Sequence, residues 1–327
     1  MRKNRVQFID ISRGIAVLLM IVGHVLENNI IKDIIFSFHM PLFILVSGYF
    51  YKNKFIKEEL KNSFNNLILP SIVVIFLLSF IKNIATLGFF DTIWNSLKMI
   101  LMGYSHENKM IYSVPGIGAL WFIYMLVIIK LLFIINKKIT KGNELLLLGL
   151  ILLQTYIGYI LGNMGLWLPW SLDVSLACML FYYIGYIIQK KDILNRILSN
   201  RKLLCIMLSI WIISLGFNCL EIAMRRYPGG LWSYLVAICG SMIVLKLSSI
   251  MESKMKYTSK LLAWCGLNSL WILICHYIEA SIFTYDFNIT NNNLNIVIVI
   301  FLKCFFVITL TFIIANIKNR IKKTREI

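Results

Sequence analysis

The sequence is short of charge, and shortest of acid: charged residues make up 15%, with 15 Asp+Glu against 33 Lys+Arg. A soluble domain carries about 25% charge and about 45–50% apolar residues, whereas the hydrophobic share here is 59%. So little charge cannot cover a soluble surface, and so much apolar content rules out a disordered chain. No Ser/Pro-rich linker or fixed-period repeat divides the chain, whose prolines number five. Its seven cysteines (Cys178, Cys205, Cys219, Cys239, Cys265, Cys275, Cys304) are an odd number, lie in apolar runs and form no C-x-x-C pair. That excludes a disulfide scaffold and reads as small buried apolar side chains. The net charge of +18 would point to nucleic acid on a soluble protein. Here the basic residues sit in short clusters between long apolar runs, the way a membrane protein marks its cytoplasmic side.

What the chain has in plenty is apolar runs. A helix crossing the hydrocarbon layer of about 30 Å needs about 20 mostly apolar residues. Ten such runs are expected, at 9–27, 33–51, 68–88, 117–135, 144–161, 172–189, 203–222, 231–250, 262–283 and 295–316. The opening Met1-Arg2-Lys3-Asn4-Arg5 has the charge of a signal peptide. The run after it, however, carries Arg13 and His24 and no small-residue cleavage site, so it is expected to stay as the first span. Assigned to alternating sides, the loops place 23 basic residues on one side and five on the other, which puts both termini in the cytoplasm. The expected fold is an all-α integral membrane bundle of about ten helices, one domain over residues 1–327 with no appended soluble domain. Between the third and fourth spans, Phe90, Ile93, Trp94, Leu97, Ile100, Leu101 and Tyr104 recur at helical spacing. They read as a helix in the outer interface, either a lid or a surface float.

Ionisable residues inside spans are costly and mark function. Asp10, Arg13 and His24 share the first run. Eleven residues at about 100° each return Arg13 and His24 to one face, about 16.5 Å apart along the axis, with Asp10 one turn before Arg13. Arg13 by itself also fits a cation snorkelling to the inner headgroups. By helical rise, His24 lies about 22 Å from the inner edge, His276 about 21 Å, and His39 about 9 Å below the outer edge. Three of the four histidines are thus expected at one depth in the outer half of the membrane, which favours a proton-handling site. Glu279 follows His276 by one turn, Asp173 opens the sixth run from outside, and Pro41 is expected to leave irregular backbone beside His39. His106, in an outer loop, reads as a solvated structural residue. One histidine per span without H-x-x-H spacing does not make a metal site.

The stretch Asp10-Ile11-Ser12-Arg13-Gly14-Ile15-Ala16, running on to Gly23-His24, and Phe38-His39-Met40-Pro41-Leu42-Phe43 followed by Val46-Ser47-Gly48-Tyr49 carry a family resemblance. With Leu120-Trp121-Phe122, Trp170-Ser171-Leu172-Asp173, Phe181-Tyr182-Tyr183-Ile184-Gly185-Tyr186 and Gly266-Leu267-Asn268-Ser269-Leu270 before His276, the chain from about 7 to 280 resembles the integral-membrane acyltransferase-3 family, nearest its fucose 4-O-acetylase-like branch.

The resemblance implies O-acyl transfer, usually of acetyl, from cytoplasmic acyl-coenzyme A to a sugar hydroxyl of a cell-surface or exported polysaccharide. It implies a multi-pass protein of the bacterial plasma membrane, with a lipid-linked or polymeric glycan as acceptor and a place beside other polysaccharide-building proteins. No permanently bound cofactor or metal is expected, acetyl-coenzyme A serving as donor substrate. His24 and His39 are the expected catalytic residues and Arg13 with Asp10 the donor-binding ones. Asp173, His276, Glu279 and Trp121 are expected to support the site or face the acceptor. Two rivals stand beside this reading. A proton-coupled transporter would show a midplane site and paired broken helices, and the sequence signals neither; the other is a non-catalytic membrane domain that senses or carries a metabolite.

Overall fold

The computed structural model describes residues 6–26, 30–108, 113–215, 220–285 and 292–325. Met1, Arg2, Lys3, Asn4, Arg5 and Cys219, named above, lie outside the described residues. The helices are α1 Gln7–Val25, α2 Ile30–Tyr49, α3 Ile56–Ser63, α4 Leu69–Leu87, α5 Phe89–Met102, α6 Trp121–Ile139, α7 Glu144–Asn163, α8 Leu172–Ala177, α9 Met179–Lys190, α10 Leu194–Ser199, α11 Arg201–Ser214, α12 Leu231–Lys254, α13 Lys256–Leu267, α14 Ser269–Ile282 and α15 Asn292–Arg325. Among the described residues there is no β-strand, only isolated bridges joining Asn108 to Val114 and Glu221 to Arg226.

Among the described residues seven continuous helices are long and apolar enough to cross a membrane, and two bent pairs raise the number to nine. This measure does not reach the expected ten. The difference lies in the seventh run, where α11 holds only 14 residues, about 21 Å of helix. The sixth and ninth runs, expected as single straight spans, are broken by 59° between α8 and α9 and by 75° between α13 and α14. Pro41 makes the opposite correction, because α2 runs unbroken through it and the backbone beside His39 stays helical. The third span also starts earlier than 68, since α3 joins α4 through a π-turn at Phe64–Ile68. In that turn the Leu69 N–H reaches the Phe64 carbonyl, a wider ring that accommodates Pro70 just behind it.

The chain divides into two compact units. The first comprises Met1–Leu42, Asn200–Cys219 and Val236–Ile327. Within it α1 and α13 approach until their backbones touch. A methyl group on Gly14 would overlap the Leu262 carbonyl, and one on Gly266 would overlap the Asp10 carbonyl. Small residues allow such approach where lipid gives helices no hydrophobic push together. Gly266→Val is accordingly expected to destabilise the protein by about 1–3 kcal/mol, read as a lower unfolding temperature in detergent. Gly149→Ala, which meets no atom within 4 Å, should not lower it.

The second unit comprises Phe43–Ser199 and Leu220–Leu235. Here Gly48 lies against the Tyr182 carbonyl and Gly185 against that of Leu45, joining the end of α2 to α9. Asn143 caps α7 by accepting from the Leu145 and Leu146 N–H groups. Asn136 and Gln154 exchange two amide hydrogen bonds, 2.7 and 3.0 Å, between α6 and α7. Helix α5 buries the small polar face of Thr92 and Ser96 with Met99, and presents Phe90 (84% exposed), Trp94 and Leu101 outward. An apolar face turned outward suits contact with lipid.

Candidate active site

In the first unit α1 brings ionisable groups to both of its ends, and its unbroken run Gln7–Val25 keeps Arg13 and His24 about three turns apart on one face. His24 is exposed in the last turn. Its imidazole stacks on that of His276, with ring centroids 5.3 Å apart and planes inclined by 27°. Phe36 meets the edge of His24 at 6.1 Å and that of His39 at 5.0 Å. The three histidines that the sequence places at one depth thus form one cluster, with Phe36 wedged between His24 and His39.

The two buried histidines are oriented by hydrogen-bond and charge partners. His39 Nδ1 lies 2.8 Å from the Ile35 carbonyl, which only accepts. Nδ1 therefore carries the hydrogen, and Nε2 of the neutral ring carries the lone pair. His276 Nδ1 faces Glu279 Oε2 at 3.3 Å, off the line of a hydrogen bond, and among the described residues neither atom has a hydrogen-bond partner. Glu279 is fully buried and accepts from Lys303 Nζ at 2.7 Å through its other oxygen. Lys303 is one of the five basic residues that fall within the expected spans. The signal was there: one lysine alone in the middle of the last apolar run, where a charge needs a partner.

At the opposite end of α1, Arg13 is partly buried and its Nη2 donates to Ser269 Oγ at 2.8 Å. Its Nη1 stands 3.8 Å from Asp10 Oδ1, the pairing expected from their spacing. Ser269 opens α14 just past the 75° break. The Asn268 side chain gives that helix start no cap, turning instead to the Trp264 carbonyl. The first N–H groups of α14 therefore have no side-chain acceptor at the cap and add a positive helix end to the Arg13 charge.

Asp173 and Trp121 belong to the second unit. Asp173 is fully buried and forms a two-point ion pair with Arg225, Nε to Oδ2 at 2.8 Å and Nη2 to Oδ1 at 3.5 Å. It also accepts from the Leu168 N–H at 3.1 Å. The guanidinium lies 3.7 Å from the centre of the Trp167 ring and donates to the Ala223 carbonyl. Tyr227, close by in chain and buried, has a hydroxyl without a hydrogen-bond partner among the described residues, and burial pushes that phenol well above its ordinary value, so it stays neutral. The Asp173 carboxylate is thus occupied in holding the segments before α8 and before α12, and it has no surface to offer an acceptor. Arg225, which the charge count reads as topology alone, is its buried counter-ion. Trp121 is buried at the start of α6, with Phe122 edge-on at 6.3 Å. His106 is exposed, its Nδ1 3.1 Å from Ser105 Oγ.

Among the described residues no three His, Cys, Asp or Glu side chains gather as a metal-binding set. What the first unit assembles is a histidine cluster with a buried carboxylate at one end of α1 and a cation beside a bare helix start at the other. No curated protein matches the chain. A family model of an acyltransferase domain matches residues 6–316, across both units and every motif quoted above; the chain belongs to the acyltransferase-3 family and is a multi-pass membrane acyltransferase.

Proposed function

We propose that this protein moves an acetyl group from cytoplasmic acetyl-coenzyme A to a sugar hydroxyl of a polysaccharide, or of its lipid-linked precursor, on the outer side of a bacterial plasma membrane. The observation that carries the reading is the stack of His24 on His276 beside Glu279, three turns along one helix from Arg13. We place both termini in the cytoplasm, with α11 counted as a short tenth crossing. The 23-to-five division of basic residues supports that count, since nine crossings would separate the termini. Arg13 then faces the inner leaflet and the histidines the outer one.

The chemistry follows from that polarity. The donor's phosphates meet Arg13 and the uncapped start of α14, and its pantetheine arm extends toward the histidines. A neutral imidazole takes the proton of the acceptor hydroxyl as the oxygen attacks the thioester carbonyl. The carbon–sulfur bond breaks, and the coenzyme A thiolate leaves with the proton that the imidazolium returns. His24 is assigned as that base because it is the exposed member of the cluster, with His39 sharing the role through its basic Nε2. Asp10 holds Arg13 in place, and His276 and Glu279 orient the histidine stack.

The two broken spans are a feature that the transporter reading expects and the sequence did not signal. Family membership favours transfer over transport, and the break at Asn268 has a use in it, since it sets a helix start beside Arg13. Purified protein supplied with radiolabelled acetyl-coenzyme A and candidate glycans tests the proposal. Label in the glycan supports it; uptake without transfer, or binding alone, overturns it. In the same preparation Arg13→Ala is expected to weaken donor binding by the ~1.5–3 kcal/mol of a charged hydrogen bond, roughly ten- to more than hundredfold. Arg13→Lys should recover part of it, as a point charge without the planar fork. Donor affinity in nanodiscs checks both. Normal binding by Arg13→Ala would make Arg13 a structural residue.

A further inference from the structure

The last span carries a cation that the reaction above does not use. Lys303 sits within α15, its side chain 15% exposed, and its Nζ lies 2.7 Å from Glu279 Oε1. The same ammonium lies 4.8 Å from the centre of the Tyr285 ring. Glu279 has no exposed surface; its second oxygen stands 3.3 Å from His276 Nδ1, and Tyr285 also interacts with the carboxylate. Three residues from two helices therefore form a line, ammonium to carboxylate to imidazole, and His24 closes it as a stacked ring.

The charges around this line are few. Helix α1 contributes His24 and α2 contributes His39 beyond Phe36. On α14 itself Cys275 and Tyr277 flank His276. Helix α15 adds Cys304 near Glu279, α13 adds Cys265 near Cys304, and Tyr285 follows α14. Lys303 and Glu279 are opposite charges in contact and cancel, and Lys32 lies 5.6 Å over the Phe36 ring. Without the lysine the carboxylate would be a lone buried charge, which proteins avoid by taking up a proton.

We propose that Lys303 is a positioning residue of the active site. Its ammonium holds Glu279 as a carboxylate, and the charge of Glu279, 3.3 Å from His276 Nδ1, favours the hydrogen on that nitrogen and the basic lone pair on Nε2. This is the base-and-orienter logic of an activated site, with the orienter kept ionised from a neighbouring helix. Replacing Lys303 by methionine admits one proton. If that proton goes to His276, the ring becomes an imidazolium and lends no lone pair. If it goes to Glu279, the carboxyl becomes a donor and Nδ1 becomes the acceptor. Either way the neutral Nδ1–H form is lost. The consequence for rate rests on the acyl-transfer reading; the tautomer does not.

The test uses full-length protein with ¹⁵N-labelled histidine in nanodiscs at pH 7.5. The chain has four histidines, so the His276 signals are assigned by their disappearance in His276→Gln. Wild type and Lys303→Arg should show His276 neutral with Nδ1 protonated. Lys303→Met should show imidazolium or the Nε2–H form, and a fall in acetyl transfer of at least tenfold at unchanged KM for the donor. Should Lys303→Met not fold, Lys303→Met/Glu279→Gln removes both charges. In that variant the amide that replaces the carboxylate can donate or accept, and His276 should show mixed tautomers. A wild-type Nδ1–H signal persisting in whichever variant folds would overturn the proposal, as would a wild-type His276 that lacks it. Wild-type protein that shows the signal yet transfers no acyl group would sink the acyl-transfer reading and leave the Lys303 assignment standing.

Discussion

Replacing His24 with alanine is expected to lower acyl transfer by about 10²–10⁴-fold, the worth of a positioned general base. The variant should remain folded in the membrane. His24 is exposed in the last turn of α1, so its loss opens no packed cavity, and the helix is held elsewhere by the Gly14 and Gly266 contacts. Donor binding should stay within a few-fold of normal, because Arg13 lies three turns away. The three measurements are transfer rate, donor affinity and unfolding temperature on one preparation. Near-normal transfer would remove His24 from the chemistry and leave His39, whose Nε2 carries the free lone pair. His24→Ala losing donor affinity as badly as Arg13→Ala would show that the two ends of α1 do not divide the work. His39→Ala should also be severe, but its ring is buried against Phe36, so part of its effect will be packing.

The largest effect on stability is expected at Arg225. Its ion pair with Asp173 is 1% and 0% exposed. Removing one partner of such a pair leaves an uncompensated buried charge and costs about 3–5 kcal/mol. Arg225→Met should therefore lower the unfolding temperature sharply, or prevent accumulation in the membrane. Asp173→Asn should do much the same, with the Leu168 N–H still able to donate to the amide oxygen. The double variant Arg225→Met/Asp173→Leu removes both charges and should recover a good part of the loss, since a buried pair contributes little beyond an apolar replacement of similar volume. Unfolding temperatures of the four proteins decide it. Single variants within about 0.5 kcal/mol of wild type, the range of an ordinary surface substitution, would show that the pair is not the clamp described here.

The amino-acid sequence by itself determined the solvent of this protein and much of its site. Low charge and long apolar runs leave only a helical membrane protein, because each backbone polar group in lipid must be satisfied within its own helix. Helical periodicity alone put Arg13 and His24 on one face and Asp10 one turn from Arg13, since residues on one helix are related by fixed rotation and rise. Depth counted from span edges brought His24, His39 and His276 to one level. The three rings cluster even though the ninth span bends at Asn268, between its inner edge and His276.

Only the tertiary structure decided which neighbours those residues have. Partners on different helices, such as Lys303 with Glu279 and Arg225 with Asp173, are fixed by rotation and crossing of helices, which no periodicity within one run encodes. The same holds for the bends at Cys178 and Asn268. Neither carries a proline, so the local sequence has no missing N–H to announce a kink. Pro41 announces one, and the helix passes through it unbroken. His39 sends Nδ1 to Ile35 one turn back, and Trp211 donates to Ser37 Oγ across the helices. The sequence sets which groups must be satisfied; the packing around them chooses the partner, because a buried polar group takes whatever acceptor or donor the neighbouring helix presents.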